Sequence, residues 1–316
     1  MLGDPESAAG AGDRALTIAQ QLADLPLQVV TNLPMGLLYH ATGEYRRAIE
    51  FFQWNVDHLK HDMWNERLGL FGLPSVLSRC FLAWCLAEIG DFDEGRKIGE
   101  EAVRLAKAAD HPFSMMYAYL GIGVLHLRNG DFQRAILLFE RALEFDEFAQ
   151  IPVGSSYGAS YLGYALSLVG RAAEGVPLLE RTTSSAISTV FVARHSLRVA
   201  YLGEAYMLTG RVDAASAAAT HSVELARKHK ERGHEAYALR LLGEVTVQHG
   251  EFAQAETYYR SALRLAQELG MRPLAAHCHW GLARLFRRAN NEIAERQHAT
   301  AARAQFRELA MPPRQP

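Results

Sequence analysis

Residues 119–142 read YLGIGVLHLRNGDFQRAILLFERA. Apolar residues recur every three or four positions on both sides of Gly130-Asp131, and Gly123 and Ala135 stand seven before and five after the glycine. Recurrence at i, i+3 and i+4 is the pattern of an amphipathic helix. A glycine costs a helix interior about 1 kcal/mol relative to alanine. Placed between two such runs, Gly130 reads as the end of one helix and the turn into the next. The stretch is a helical hairpin.

The same punctuation runs along the chain. Gly43, Gly90, Gly130, Gly170, Gly210 and Gly250 are spaced by 47 residues and then by 40 four times; a further 40 leads to Asn290, the other residue type that tolerates a left-handed helix end. Seven residues before each turn stand Gly36, Ala83, Gly123, Gly163, Gly203, Gly243 and Ala283. Five after it stand Ala48, Gly95, Ala135, Gly175, Ala215 and Ala255, with the larger Phe52, Phe139, Leu179 and Tyr259 nine after it. Small residues at facing positions predict close helix approach, with the larger ones filling the space beside them. Glu44, Asp91, Asp131 and Glu251 directly follow their turns and are expected to cap or charge-complement the next helix; Arg171 and Arg211 break that pattern. Pro112, Pro152 and Pro273 fall between hairpins, where a first-turn proline is tolerated.

A 40-residue hairpin cannot bury its apolar faces alone, so the hairpins must stack. The expected fold is all-α, a solenoid of about seven hairpins over 1–316. Its units run roughly 15–70, 71–108, 109–150, 151–190, 191–230, 231–270 and 271–311, with 1–13 and 312–316 as flexible ends. The first interval is seven residues over the period. Its surplus, between Asn55 and Pro74, includes Trp54, Trp64, Phe71 and the Gly72-Leu73-Pro74 breaker, and reads as a packed extension or a lid.

Composition narrows the function classes. The 316 residues are 49% hydrophobic and 22% charged, with a net charge of -2, which argues for a folded chain and against a dedicated nucleic-acid binder. The basic residues comprise 28 Arg and 5 Lys, a bias of type and not a patch. No run reaches the roughly 18 apolar residues of a membrane span, and the acidic start, Met1 to Glu6, does not read as a secretory signal. Cys80, Cys85 and Cys278 are too scattered for a disulfide framework or a zinc site. The expected location is cytoplasmic.

Two resemblances add to this reading. Tyr119-Leu120-Gly121-Ile122-Gly123, Gly130-Asp131-Phe132-Gln133-Arg134-Ala135, Phe139 and Ala142 resemble the small and large pattern of the tetratricopeptide repeat. So do Leu242-Gly243, Gly250-Glu251-Phe252, Ala255, Tyr259 and Ala262, in a longer period than the family's usual 34 residues. That likeness implies a right-handed superhelix. Residues 231–244 (ERGHEAYALRLLGE), 269–279 (LGMRPLAAHCH), 72–79 (GLPSVLSR) and the closing 306–311 (FRELAM) are similar to the C-terminal repeats of bacterial multidomain signalling proteins. There a class III nucleotide cyclase or regulatory domain precedes an NTPase module. That likeness implies the regulatory arm of a larger signalling protein.

Catalytic motifs are not found. There is no G-x-x-x-x-G-K-[ST] loop and no G-x-G-x-x-G after a strand. Gly154-Ser155-Ser156-Tyr157-Gly158 matches G-x-S-x-G, but that elbow has meaning only on a strand-to-helix turn of an α/β sheet. His277-Cys278-His279 places its imidazoles two apart, where a helix points them to different faces, whereas paired helical ligands sit four apart. No catalytic residue, metal or cofactor is expected.

The tetratricopeptide likeness implies that positions two, five, nine and twelve of each first helix face the concave groove. These include Trp84, Tyr117, Tyr157, Tyr164, Glu204, Tyr237, Arg240, Glu244, Trp280, Arg284 and Arg287. The groove would be aromatic in its middle and arginine-rich at its C-terminal end, where Glu204 and Glu244 are available to pair with Arg240. The expected ligand is a protein or peptide, other domains of the same parent included, with an anionic metabolite as the alternative. Nucleic acid and membrane are not expected; a homo-oligomer stays open.

Overall fold

The computed structural model describes residues 4–60, 63–145, 152–184 and 194–312, with the backbone alone at 152–156. Fifteen helices are found among the described residues: α1 (Pro5–Gln21), α2 (Leu25–Thr42), α3 (Tyr45–His58), α4 (Pro74–Ile89), α5 (Phe92–Ala108), α6 (Pro112–Asn129), α7 (Phe132–Glu144), α8 (Pro152–Leu168), α9 (Ala172–Thr183), α10 (His195–Leu208), α11 (Val212–Lys228), α12 (Arg232–Gln248), α13 (Phe252–Glu268), α14 (Arg272–Arg288) and α15 (Glu292–Glu308). From α2 onward they form seven hairpins, an all-α solenoid. No described helix is long and apolar enough to cross a membrane.

The turns are built as the glycine spacing requires. Gly43 has φ +89°, Gly130 +94° and Asn290 +56°. In each case the chain reverses into the left-handed region, and after Gly43 and Asn290 the next amide reaches back to a helix carbonyl. Glu44 N donates to Tyr39 O at 2.8 Å and Asn291 N to Phe286 O at 2.9 Å, satisfying acceptors that a helix end leaves open. The acidic residues behave differently from expectation. Glu44, Asp91 and Glu251 occupy N-cap positions but make no side-chain cap bond, because their ψ of 59–69° departs from the extended backbone of a capping residue.

The small residues sit where helices cross. A Cβ placed on Gly36 or on Gly123 would lie 2.5 Å from the ring of Phe52 or Phe139, and one on Gly243 would lie 2.9 Å from Tyr259. At Gly175 a methyl would meet the backbone carbonyl of Gly163, which cannot swing aside as a side chain can. The substitution Gly175→Ala is therefore expected to lower stability by about 1–3 kcal/mol in urea unfolding. The equivalent alanines, Ala135, Ala215 and Ala255, are accommodated with no exposed surface.

Contacts divide the chain into two compact units: Met1–Ala87, Asp91–His126 and Arg134–Gly158 form the first, and Glu88–Gly90, Leu127–Gln133 and Ala159–Pro316 the second. The glycine spacing carries no sign of that division.

In the first unit, residues 5–13, part of the end expected to be flexible, lie within α1. Asp4 caps the helix by accepting from Ser7 N at 3.2 Å, and Gly12 leaves the space that Met35 fills. The buried Asn55 ties α3 to its neighbours, donating to Val29 O and Ser78 Oγ at 3.1 Å each. The surplus of the first interval has no α-helix of its own among its described residues. It is held by Leu59 and Leu73 in the core and by Leu73 N donating to Ser114 Oγ at 2.9 Å. Residues 61 and 62 lie outside the described residues.

In the second unit each first helix is wedged between neighbours. Eleven of the fourteen residues of α10 are buried, against five of the seventeen of α11. Arg194 N donates to Glu231 Oε1 at 3.0 Å, and Ser196 donates to the same carboxylate, joining α10 to α12. Burial pushes the neighbouring His195 down to about 4, with Arg198 acting in the same direction. Burial and the adjacent His298 likewise push His279 down to about 4. An unfolded histidine titrates near 6.5, so below that pH the unfolded chain takes up protons that the native state refuses until about pH 4. Unfolding free energy is expected to fall as pH drops from 6.5 to 4. Denaturant titrations at several pH values should show that slope, flattened in a His195→Gln/His279→Gln variant.

Candidate functional site

The second unit contains a cavity of about 560 Å³, whose walls come from α8, α10, α12 and α14, the Leu127–Gln133 segment and the chain after α15. Of the residues expected to line a groove, Tyr164, Glu204, Tyr237, Arg240, Glu244 and Arg284 line it. Apolar wall is supplied by Leu127, Leu168, Met207, Val247 and Leu285.

The charges at its base are already committed. Arg240 bonds Glu204 at 2.5 Å and also Glu244, and Tyr164 donates to Glu204 at 2.9 Å. Burial opposes charge on the Arg240 guanidinium, but Glu204 and Glu244 outweigh it and hold its pKa well above the usual arginine value. The pairing of Arg240 with those two carboxylates was legible in the sequence.

A second pair was not. Arg128 Nε donates to Glu88 at 2.9 Å with both side chains 6% exposed, and Arg128 Nη2 donates to the Tyr201 hydroxyl at 2.8 Å. Tyr237 donates to the other Glu88 oxygen at 2.7 Å, and its ring lies 4.6 Å from the Arg128 guanidinium. Burial would lower the Arg128 pKa; Glu88, with Tyr201 and Tyr237, raises it well above normal. The signal was the period itself. Glu88 and Arg128 are 40 residues apart, as are Tyr164 and Glu204, so one repeat position in successive hairpins meets itself.

The remaining expected residues lie elsewhere. Trp84 belongs to the first unit and is core: it is 2% exposed, packs edge-on to Phe81 at 5.2 Å and donates to Leu120 O at 3.3 Å. Tyr117, half-buried in the same unit, joins Phe113 and Phe81 at 5.0 and 5.8 Å. Tyr157 is half-buried there too. On α14 the cavity face is carried by His277, Gly281, Arg284, Leu285 and Arg288, not by Trp280 and Arg287. Trp280 and Arg287 are one residue off each time, so about 100° of helix rotation turns them aside. Arg287 instead pairs with Glu295 on α15 at 2.7 Å. Arg288, part of the arginine-rich C-terminal end expected of the groove, does line the cavity.

Two motifs resolve without chemistry. Gly154 to Gly158 lie within α8 rather than on a strand-to-helix turn, and the side chains of Ser155 and Ser156 lie outside the described residues. In 277–279 the three side chains part company. His277 packs on Phe306 at 5.1 Å, Cys278 is buried with its thiol pushed up to about 12, and His279 Nδ1 faces His298 Nδ1 at 2.9 Å. Among the described residues no group of three or more potential ligands is placed to hold a metal.

Models of the tetratricopeptide repeat match residues 74–147, 195–268 and 240–316, together more than half of the chain. The chain is a tetratricopeptide-repeat protein. No curated protein matches its sequence. Solved structures extend the fold assignment. The Rap protein complexed with Competence and Sporulation Factor matches this tetratricopeptide-repeat chain with a TM-score of 0.68 at 13% identity, over 90% of this chain and 78% of that one. The apo form of RapI matches with 0.58 at 12%, over 84% and 92%. A chain of the APC/C hetero-tetramer Cut9–Hcn1 matches with 0.65 at 14%, over 93% of this chain and 49% of that one. At such identities the likeness is one of fold. The particular resemblance to cyclase-associated repeats has no counterpart among these matches.

Proposed function

We propose that this tetratricopeptide-repeat chain is a non-catalytic interaction module that takes a peptide or an extended protein segment in the cavity of its second unit. The supporting observation is the cavity. Its volume of about 560 Å³ lies within the range of ligand sites, Leu127, Leu168, Met207, Val247 and Leu285 give it apolar wall, and its buried arginines are bonded to carboxylates. It can desolvate a ligand without stranding a charge. The Rap protein that shares the fold was solved complexed with Competence and Sporulation Factor, a parallel of architecture and not of sequence. The role of regulatory arm in a bacterial signalling protein, with other domains of the parent as partners, rests on the likeness of residues 72–79, 231–244 and 269–279 to such proteins.

Selection from a random peptide display library tests the reading. Sequences enriched on the full chain should be lost on a Val247→Trp variant, whose indole fills the cavity. No enrichment, or enrichment untouched by that substitution, would refute it. The metabolite alternative relies on the arginines at the C-terminal end of the groove; with Arg240 bonded to two carboxylates, that chemistry falls to Arg284 and Arg288.

A further inference from the structure

α14 carries four arginines, and they divide by face. On the outward side Arg272 pairs with Glu308 at 3.2 Å and Arg287 with Glu295 at 2.7 Å, both partners on α15. On the cavity side Arg284 and Arg288 are exposed, line the cavity, and form no ion pair among the described residues. They stand four apart, one turn along the helix, where like charges are neighbours and destabilise by a few tenths of a kcal/mol, about 0.2–0.5. Both carboxylates lining the cavity, Glu204 and Glu244, are bound to Arg240, while Glu88 is bound to Arg128. Four arginines therefore face three carboxylates, and the excess positive charge lies at Arg284 and Arg288. The same cavity is lined by Leu285, Val247, Met207 and Leu168.

We infer that the cavity selects a short apolar peptide bearing a carboxylate, held between Arg284 and Arg288 while its apolar side chains fill the space lined by Leu168, Met207, Val247 and Leu285. This rests on the peptide-binding reading above and adds the chemistry that selects the ligand. A guanidinium fork accepts a carboxylate in bidentate geometry, and two forks one turn apart converge on one anion. A carboxylate there relieves the like-charge pair, and both carboxylates that line the cavity are already bonded to Arg240.

Three pools of acetylated pentapeptides, with Leu, Phe, Met or Val at the four flanking positions, test it by fluorescence polarisation. The first carries a central Glu and an amidated end, the second a central Gln and a free C-terminal carboxylate, the third a central Gln and an amidated end. The expected result is that at least one carboxylate pool binds about tenfold or more tightly than the uncharged pool. The pool that does so identifies the source of the carboxylate. That preference should vanish in Arg284→Gln/Arg288→Gln, whose exposed positions leave the core intact, and weaken with added salt. If the uncharged pool binds equally well, the carboxylate inference fails while peptide binding stands. If no pool binds, both fail.

Discussion

Replacing Arg240 by methionine is expected to destabilise the protein by about 3–5 kcal/mol, the cost of stranding a buried carboxylate. Arg240 is 4% exposed and Glu204 6%, and the guanidinium bonds the Glu204 carboxylate directly. Without it, Glu204 loses that cation while the bond from the Tyr164 hydroxyl remains. Neutralising the stranded group should recover much of the loss: Arg240→Met/Glu204→Gln is expected to be more stable than Arg240→Met. Equilibrium urea unfolding of the wild type, both single variants and the double variant measures this directly. A double variant no more stable than Arg240→Met would mean that the loss comes from packing and not from the stranded charge.

Arg128→Met is expected to cost a similar amount, about 3–5 kcal/mol, by the same mechanism at the other pair. It leaves Glu88 with the Tyr237 hydroxyl, removes the Tyr201 hydroxyl's donor and strips a cation from beside the Tyr237 ring. Because Tyr237 also lines the cavity, this variant should weaken peptide binding as well as folding, whereas Arg284→Gln/Arg288→Gln should weaken binding alone. Unfolding and polarisation measurements on the same preparations separate the two effects.

The glycine series made the hairpins legible because turn after turn uses the residue type that a left-handed helix end favours. The connections between hairpins were less visible. Asp110, Lys230, Gly270 and Ala310 have positive φ of 48–70° at multiples of the same period, but their identities differ, so no residue type marks them. The helix at Pro5–Gln21 lies ahead of the first turn glycine of the series, and within it Gly12 makes room for Met35. In the cavity, the column Tyr164, Glu204, Glu244 and Arg284 followed from one repeat position. The departures came from α14, where Trp280 and Arg287 do not line the cavity, and from Trp84, whose large ring is core rather than surface. Periodicity fixes which residues are equivalent. Each helix's rotation depends on packing that periodicity does not encode.

The most direct test is to cross-link the full chain with the acetylated pentapeptide pools, one flanking residue replaced by benzoylphenylalanine, and to map the adducts by mass spectrometry. Adducts are expected at Met207, Tyr237, Val247 or His277, with none in Val247→Trp. Adducts confined to residues outside the cavity, or equal labelling of the blocked variant, would contradict the account.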